Sequence, residues 1–433
     1  MSRTFFHLTV CLAATIGQVA RAEDVVPSSQ PVSIEELVTA TVAQNPELRF
    51  YEAEIVAAKA DRHSAGLLSN PIVSSDVGPM RTRDRDGNLA GEGVAWSVSV
   101  MQAFEWPGRI GLRKAIANRD IDLAELGLAR FRASLAARVR TLAYGLFASQ
   151  EKAVAADEVA ARLRALKEVL VQRDPAGVTP LLEARVIEAT ELSAQRQASE
   201  FALALESGVL ELNAIRGLTN TGSIAVQPVQ LEFRPAGDRA QLIALARTNN
   251  FELRLRAVEL EQQGFRVDLA KNERWPSISL GPQMWQQTAA DNQRSIGVGV
   301  SFPLPLWDRN SSKIQSAKAR QIQAETLLAV AQRDTERQVA QAIATYATKL
   351  REMNRWQPEA VAHFREAADL ADRHYRLGAV PTATYVELQR QYLEAVNGLL
   401  DTKREALESA QQLELLTGLP EPLVTTKPVA AQP

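Results

Sequence analysis

Two spacings of apolar residues alternate along the chain, and the alternation occurs twice. Phe131, Leu135, Val139, Leu142 and Leu146 recur at steps of four, four, three and four, and Val159, Leu163, Leu166 and Leu170 continue the pattern. In the later half Val339, Ile343, Tyr346, Leu350 and Met353 run at four, three, four and three. That spacing puts one apolar stripe on a long helix, as in a coiled-coil seam. Elsewhere the period drops to two. Val94, Trp96, Val98 and Val100 alternate with Ala95, Ser97 and Ser99, and Ile296, Val298, Val300 and Phe302 with Ser295, Gly297, Gly299 and Ser301. Each run predicts a strand with one apolar face and one face of small residues. A shorter candidate strand precedes each, across the polar loops Arg81–Gly93 and Thr288–Arg294. The predicted strands are therefore about 72–80 and 93–106 in one hairpin and about 276–287 and 295–307 in another.

Two tight breaks punctuate the helical stretches. Gly177, Val178, Thr179 and Pro180 separate the helical patterns Val154–Arg173 and Leu181–Arg216. Gly378, Ala379, Val380, Pro381 and Thr382 separate Val361–Leu377 from Ala383–Leu416. Glycine tolerates the left-handed stop and proline opens the next helix, so both read as helical-hairpin tips. The halves are copies. Asn45-Pro46-Glu47-Leu48-Arg49 and Asn250-Phe251-Glu252-Leu253-Arg254 lie 205 residues apart, as do Pro71 and Pro276. Gly177 and Gly378 lie 201 apart, as do Gly217-Leu218 and Gly418-Leu419. The offset shrinks across the interval that holds the Arg81–Gly93 loop. A unit of about 200 residues is far longer than a solenoid repeat. The expected organisation is a first copy at 34–220 with its tip at 174–180, a linker at 221–238, a second copy at 239–419 with its tip at 378–382, and a tail at 420–433. The helix from Gly108 to Arg173 is on the order of 100 Å long if continuous. Pro358 is expected to break its counterpart, where the first copy has Asp157. The fold class is mainly α with a small β part.

Composition narrows the rest. With 49 basic and 51 acidic residues the net charge is −2, which gives no electrostatic footprint for nucleic acid. Residues 1–22 read as a secretory signal: Arg3, an apolar run from Phe5 to Val19, and Ala20-Arg21-Ala22 as the cleavage site. Cys11, the only cysteine, lies inside it behind Val10, so no lipid anchor is expected. A Pro/Ser-rich leader covers 23–33, and Ser33 with Glu36 forms a capping box. No later stretch reaches 18 uncharged apolar residues, so no membrane-spanning helix is expected. Yet Trp96, Trp106, Trp275, Trp285 and Trp307, five of the six tryptophans, lie in or beside strands, as membrane-interface aromatics do. Strands of about ten residues with a small polar face suit an outer-membrane barrel, but four are too few to close one. An open edge is not tolerated in lipid, so the chain is expected to oligomerise. A phosphate loop, an H-E-x-x-H motif and a nucleophile elbow are all lacking. His63, His363 and His374 show no convincing ligand spacing. The expectation is a non-enzyme without cofactor or resident metal.

The duplicated helix–hairpin–long helix–tip–helix unit and the Gly-x-x-Pro tips resemble the TolC family of outer-membrane efflux proteins. Asn-Pro-Glu-Leu at 45–48 and Phe-Glu-Trp-Pro-Gly-Arg at 104–109 are similar to its heavy-metal (cobalt–zinc–cadmium) branch. The resemblance implies a homotrimer with a twelve-stranded barrel in outer-membrane lipid and a periplasmic α-helical tunnel. It implies tips that dock on a periplasmic adaptor (membrane fusion protein) coupled to an inner-membrane RND-type pump. It also implies acidic residues lining a constriction just beyond each tip. Glu183 matches the first in copy one; Thr384 departs from it in copy two, where Glu387 matches the second. A solvated helix face or an ion pair to Arg185 or Arg390 is the plainer account of either glutamate. The branch implies divalent metal as cargo. Drug efflux and type I secretion stay open, and a periplasmic adaptor is a further alternative that has one hairpin rather than two.

Overall fold

The three–four seams are helices of unusual length. The computed structural model describes residues 31–173, 178–218, 224–289, 291–356 and 360–428. The first copy runs α1 (Ile34–Gln44), α2 (Leu48–Ser64), β1 (Ile72–Arg83), β2 (Leu89–Phe104), α3 (Arg109–Arg173) and α4 (Val178–Ile215). After β3 (Val229–Phe233) the second runs α5 (Arg239–Asn249), α6 (Phe251–Asn272), β4 (Ile278–Gln287), β5 (Gln293–Ser301), α7 (Ser311–Arg355), α8 (Ala360–Arg376) and α9 (Thr382–Thr417), then β6 (Val424–Pro428). The expected signal peptide, nearly all of the expected leader and Gly177 lie outside the described residues.

The duplication reappears as hydrogen bonds. Asn45 caps the C-terminus of α1, accepts from the Glu47 N–H on Oδ1 (2.8 Å), and donates from Nδ2 to the Ile215 carbonyl (2.8 Å). Asn250 does the same between α5 and α6, accepting from Glu252 (3.0 Å) and donating to Leu416 (2.9 Å). Both asparagines are buried, and only a short side chain with both a donor and an acceptor satisfies the two ends at once. The expected Ser33–Glu36 capping box opens α1, and Asp238 caps α5.

The copies diverge where proline predicts. α3 is one unbroken helix of 65 residues through Asp157. Its counterpart stops at Arg355 and resumes at Ala360; Pro358 itself lies outside the described residues. The ring of Trp356 rests on Gly398 of α9, where a Cβ would come within 3.1 Å of it.

The four expected strands form one antiparallel sheet, ordered β1-β2-β4-β5. Two boundaries differ from expectation. The polar Arg81–Gly93 loop is largely strand: the ladder continues to Thr82 opposite Gly91, and Arg81 pairs with Glu92 across it (2.9 Å). The turn itself is short. Asp84 accepts from the N–H groups of Asp86 and Asn88, and Gly87 has φ 85°. At the other end β5 stops at Ser301, because Pro303 and Pro305 cannot donate to a ladder. The count of four strands per chain is also too low. Linker and tail hold β3 and β6, which pair as a second sheet, and Val32 bridges to Val226 beside them. The signal was faint, since each strand is five residues long.

The core lies along the helical bundle. α3 packs on α4, α2, α6 and α9, and α9 also packs on α7 and α8. Tyr144, Tyr346 and Tyr385 are fully buried in it, together with Leu146, Leu163 and Leu413. No described helix is long and apolar enough to cross a membrane.

Candidate functional site

The sheet is the first candidate surface. Its register sorts side chains into two faces. On one lie Val73, Val77, Val94, Trp96, Val98, Val100 and Phe104 of the first hairpin, with Ile278, Leu280, Ile296, Val298, Val300 and Phe302 of the second. These are largely solvent-exposed in the single chain, Ile296 at 71% and Val298 at 74%. Such a contiguous apolar surface is not left in water. From Val94 to Phe104 it extends about 33 Å along the strand, or about 25 Å in height at a tilt near 40°, the height of a barrel's lipid-facing band. The opposite face carries mainly Ser, Gly, Ala and Gln. β1 and β5 have no partner on their outer edges among the described residues.

The tryptophans divide accordingly. Trp106, Trp275 and Trp307 stand at the helix end of the sheet, Trp307 being 93% exposed. Trp106 stacks on Trp275 with centroids 5.0 Å apart, and Arg109 donates to Asn272 Oδ1 (3.0 Å) and to the Trp275 carbonyl (2.6 Å). The Phe-Glu-Trp-Pro-Gly-Arg motif is thus a clamp between the two copies. Trp96 lies on the apolar face. Trp285 does not: it pairs with Ser97, one residue out of phase with Trp96, and sits on the small-residue face. A one-residue offset changes face, so Trp285 does not share the apolar face with Trp96.

The tips are the second candidate. At 378–382 the chain turns in a Schellman motif: Ala379 N–H donates to the His374 carbonyl (2.9 Å), Gly378 N–H to Tyr375 (2.8 Å), and Gly378 has φ 76°. Val380 is half-buried, Pro381 caps α9 and Thr382 is buried. At the other tip α4 begins at Val178, three residues earlier than expected, with Thr179 and Pro180 inside its first turn. Proline fits there because first-turn N–H groups lack helical partners anyway.

Tyr375 joins the two hairpins. Its hydroxyl donates to Glu183 Oε2 of α4 (3.2 Å) and lies 3.0 Å from Thr382 Oγ1. Its ring packs on Tyr385, 5.2 Å between centroids. The Tyr385 hydroxyl donates to Asp372 (3.4 Å), and burial pushes its pKa well up. Further along, Arg162 of α3 pairs with Asp369 of α8 (2.5 Å), and Arg365 of α8 with Glu158 of α3 (3.1 Å). The three gate candidates therefore stand differently. Glu183 takes Tyr375 rather than Arg185, which pairs with Glu188 (2.6 Å). Glu387 pairs with Arg390 (2.9 Å); hydrogen bonds from Arg390 and Gln391 hold its carboxyl below the ordinary range. Thr384 is exposed on the same helix. Sequence reasoning missed Tyr375 and Tyr385, although they flank the tip almost symmetrically. Among the described residues no three His, Cys, Asp or Glu side chains cluster as a metal site.

Comparison with known proteins agrees with this architecture. Residues 242–419 match the family described as "Outer membrane efflux protein". The cobalt-zinc-cadmium resistance protein CzcC of Cupriavidus metallidurans is 21% identical over 291 residues, 66% of this chain and 66% of that protein. The nickel-cobalt-cadmium resistance protein NccC of Alcaligenes xylosoxydans xylosoxydans is 25% identical over 334 residues, 73% and 70% of the two chains. The chain thus spans about two thirds of the length of these curated relatives. A crystal structure of CusC superposes with a TM-score of 0.69 at 15% identity, covering 88% of this chain and 92% of that one, so the fold is TolC-like.

Proposed function

We propose, from the match of residues 242–419 to the outer membrane efflux protein family, that the chain is the outer-membrane channel of a tripartite efflux system. It passes substrate passively from periplasm to exterior. The observation that supports this reading is the four-stranded sheet, apolar on one face and, among the described residues, open at both edges. Joining β5 of one chain to β1 of the next removes every edge, and three chains give twelve strands, an adequate barrel. The long helices continue as a tunnel about 100 Å deep. Their tips, at Gly177–Pro180 and Gly378–Thr382, meet a periplasmic adaptor, and an RND-type inner-membrane pump supplies the energy. Glu183, Thr384 and Glu387 line the constriction beside those tips. The names of CzcC and NccC favour divalent heavy-metal cations as cargo.

Deletion of the gene, followed by growth on zinc, cobalt, cadmium, nickel and a panel of drugs, tests the cargo. Sensitivity confined to metals is the expected result; sensitivity to drugs alone overturns the metal assignment and leaves the channel standing. Membrane fractionation and native electrophoresis test the rest. A chain absent from the outer-membrane fraction, or monomeric there, overturns the channel itself.

A further inference from the structure

The small-residue face of the sheet carries one charge and one aromatic ring, and they stand in the same row. Along Ile72–Thr82, Gly91–Ala103, Ser279–Gln287 and Gln293–Ser301, the residues of that face are Ser, Gly, Ala, Gln, Thr, Met and Ile, with two exceptions: Asp76 and Trp285. The register sets Asp76 opposite Ser97, Ser97 opposite Trp285, and Trp285 opposite Ser295. This is a single line of side chains across all four strands. Ser97 Oγ donates to Asp76 Oδ2 at 3.1 Å, so the carboxylate lies along that line. Asp76 is exposed and forms no ion pair among the described residues. The charges nearest in sequence belong elsewhere: Arg81 pairs with Glu92 on the other face, and Arg294, also there, reaches Met284.

We propose that this row is a cation filter inside the barrel, with Asp76 as its selecting residue. The inference rests on the trimeric channel reading above. It concerns the far end of the molecule from Glu183 and Glu387. With the apolar face in lipid, the small-residue face lines the lumen, and three chains bring three Asp76 carboxylates and three Trp285 rings to one level. Twelve strands spaced about 4.8 Å and tilted near 40° close at a radius of roughly 12 Å. An indole reaching about 6 Å inward narrows that level, whereas serine and glycine leave neighbouring levels wide. Carboxylates about 9 Å from the axis enrich monovalent cations there roughly two- to three-fold at 0.1 M salt and about six-fold at 0.01 M, because the Debye length grows from about 10 to about 30 Å. The indole faces favour cations as well. The ligand class is a small hydrated cation, with divalent ions favoured over monovalent ones by their charge.

The test is reversal-potential measurement on purified full-length protein in planar bilayers under a potassium chloride gradient, at high and low mean salt. Asp76→Asn keeps the size and the Ser97 contact. It should lower the cation-to-anion permeability ratio at least two-fold near 0.1 M, with a larger drop near 0.01 M. Asp76→Lys should move the ratio further toward anions. Both variants are first checked for trimers on gels. A pore whose selectivity ignores both substitutions overturns the filter and leaves the channel reading intact. A wild-type protein that forms no pore overturns the channel reading and the filter with it.

Discussion

Tyr375→Phe removes one oxygen from the tip and leaves its packing in place. That hydroxyl donates to Glu183 Oε2 at 3.2 Å and meets Thr382 Oγ1 at 3.0 Å, while the ring keeps its contact with Tyr385. A neutral hydrogen bond contributes about 1 kcal/mol, and one to a carboxylate more. Glu183 is only half-buried, so solvent reduces its share. The loss is about 1.5 kcal/mol per chain, or roughly 4.5 kcal/mol if three tips open together, on the order of a thousand-fold in the open-to-closed ratio. Single-channel recording reads this as a higher open probability, and cells read it as sensitivity to large hydrophilic antibiotics. Glu183→Gln and the double variant complete a cycle whose coupling should be about 1 kcal/mol. Unchanged open probability in Tyr375→Phe, with the trimer intact, refutes the role given to this contact.

Four further outcomes are expected. Asn250→Ala strands the Leu416 carbonyl and unties α5 from α6, lowering stability by about 2 kcal/mol in thermal melts, with Asn45→Ala similar. Glu191 of α4 is buried, which raises its pKa, but Lys167 (2.6 Å) and Arg164 (3.0 Å) of α3 pull it below the ordinary range on balance. Its contribution is therefore present above pH 4.5 and lost as pH falls through the lower folded value, and Glu191→Gln should flatten that acid limb in tip proteolysis. Gly281→Ala pushes a methyl into the Val100 carbonyl and should cut the yield of assembled trimer on gels. With Trp285 facing the lumen as proposed, Trp285→Ala should raise single-channel conductance; an unchanged value would place the narrowest point elsewhere.

Much of the fold was legible because it repeats a period over many residues. The seam from Phe131 to Leu170 leaves no shorter element that fits it, and the alternation at Val94–Val100 leaves no helix. Asn45 and Asn250 were legible as a repeat but not as hydrogen bonds, since their acceptors lie about 170 residues away in sequence. β3 and β6 were not legible: five residues each, they exist as strands only through one another. The polar hairpin end at Arg81–Glu92 reads as loop because one cross-strand ion pair, not apolar alternation, marks it. At the tip, position relative to Gly378 pointed to Glu387, yet its nearest partner is Arg390 on the same helix. The tyrosine that joins the hairpins carries no charge pattern to betray it.

The break between Arg355 and Ala360 has a consequence for symmetry. In the trimer proposed above, three chains with two near-copies each would place six hairpins around the axis, and six identical hairpins would form a ring with six-fold symmetry. In such a ring either every member bends at a given height or none does. Here α3 is one helix while its counterpart is two, α7 and α8, so in that trimer one-piece and two-piece columns would alternate around the ring. Two copies held in one chain are free to differ at this height, which six identical half-length chains could not do.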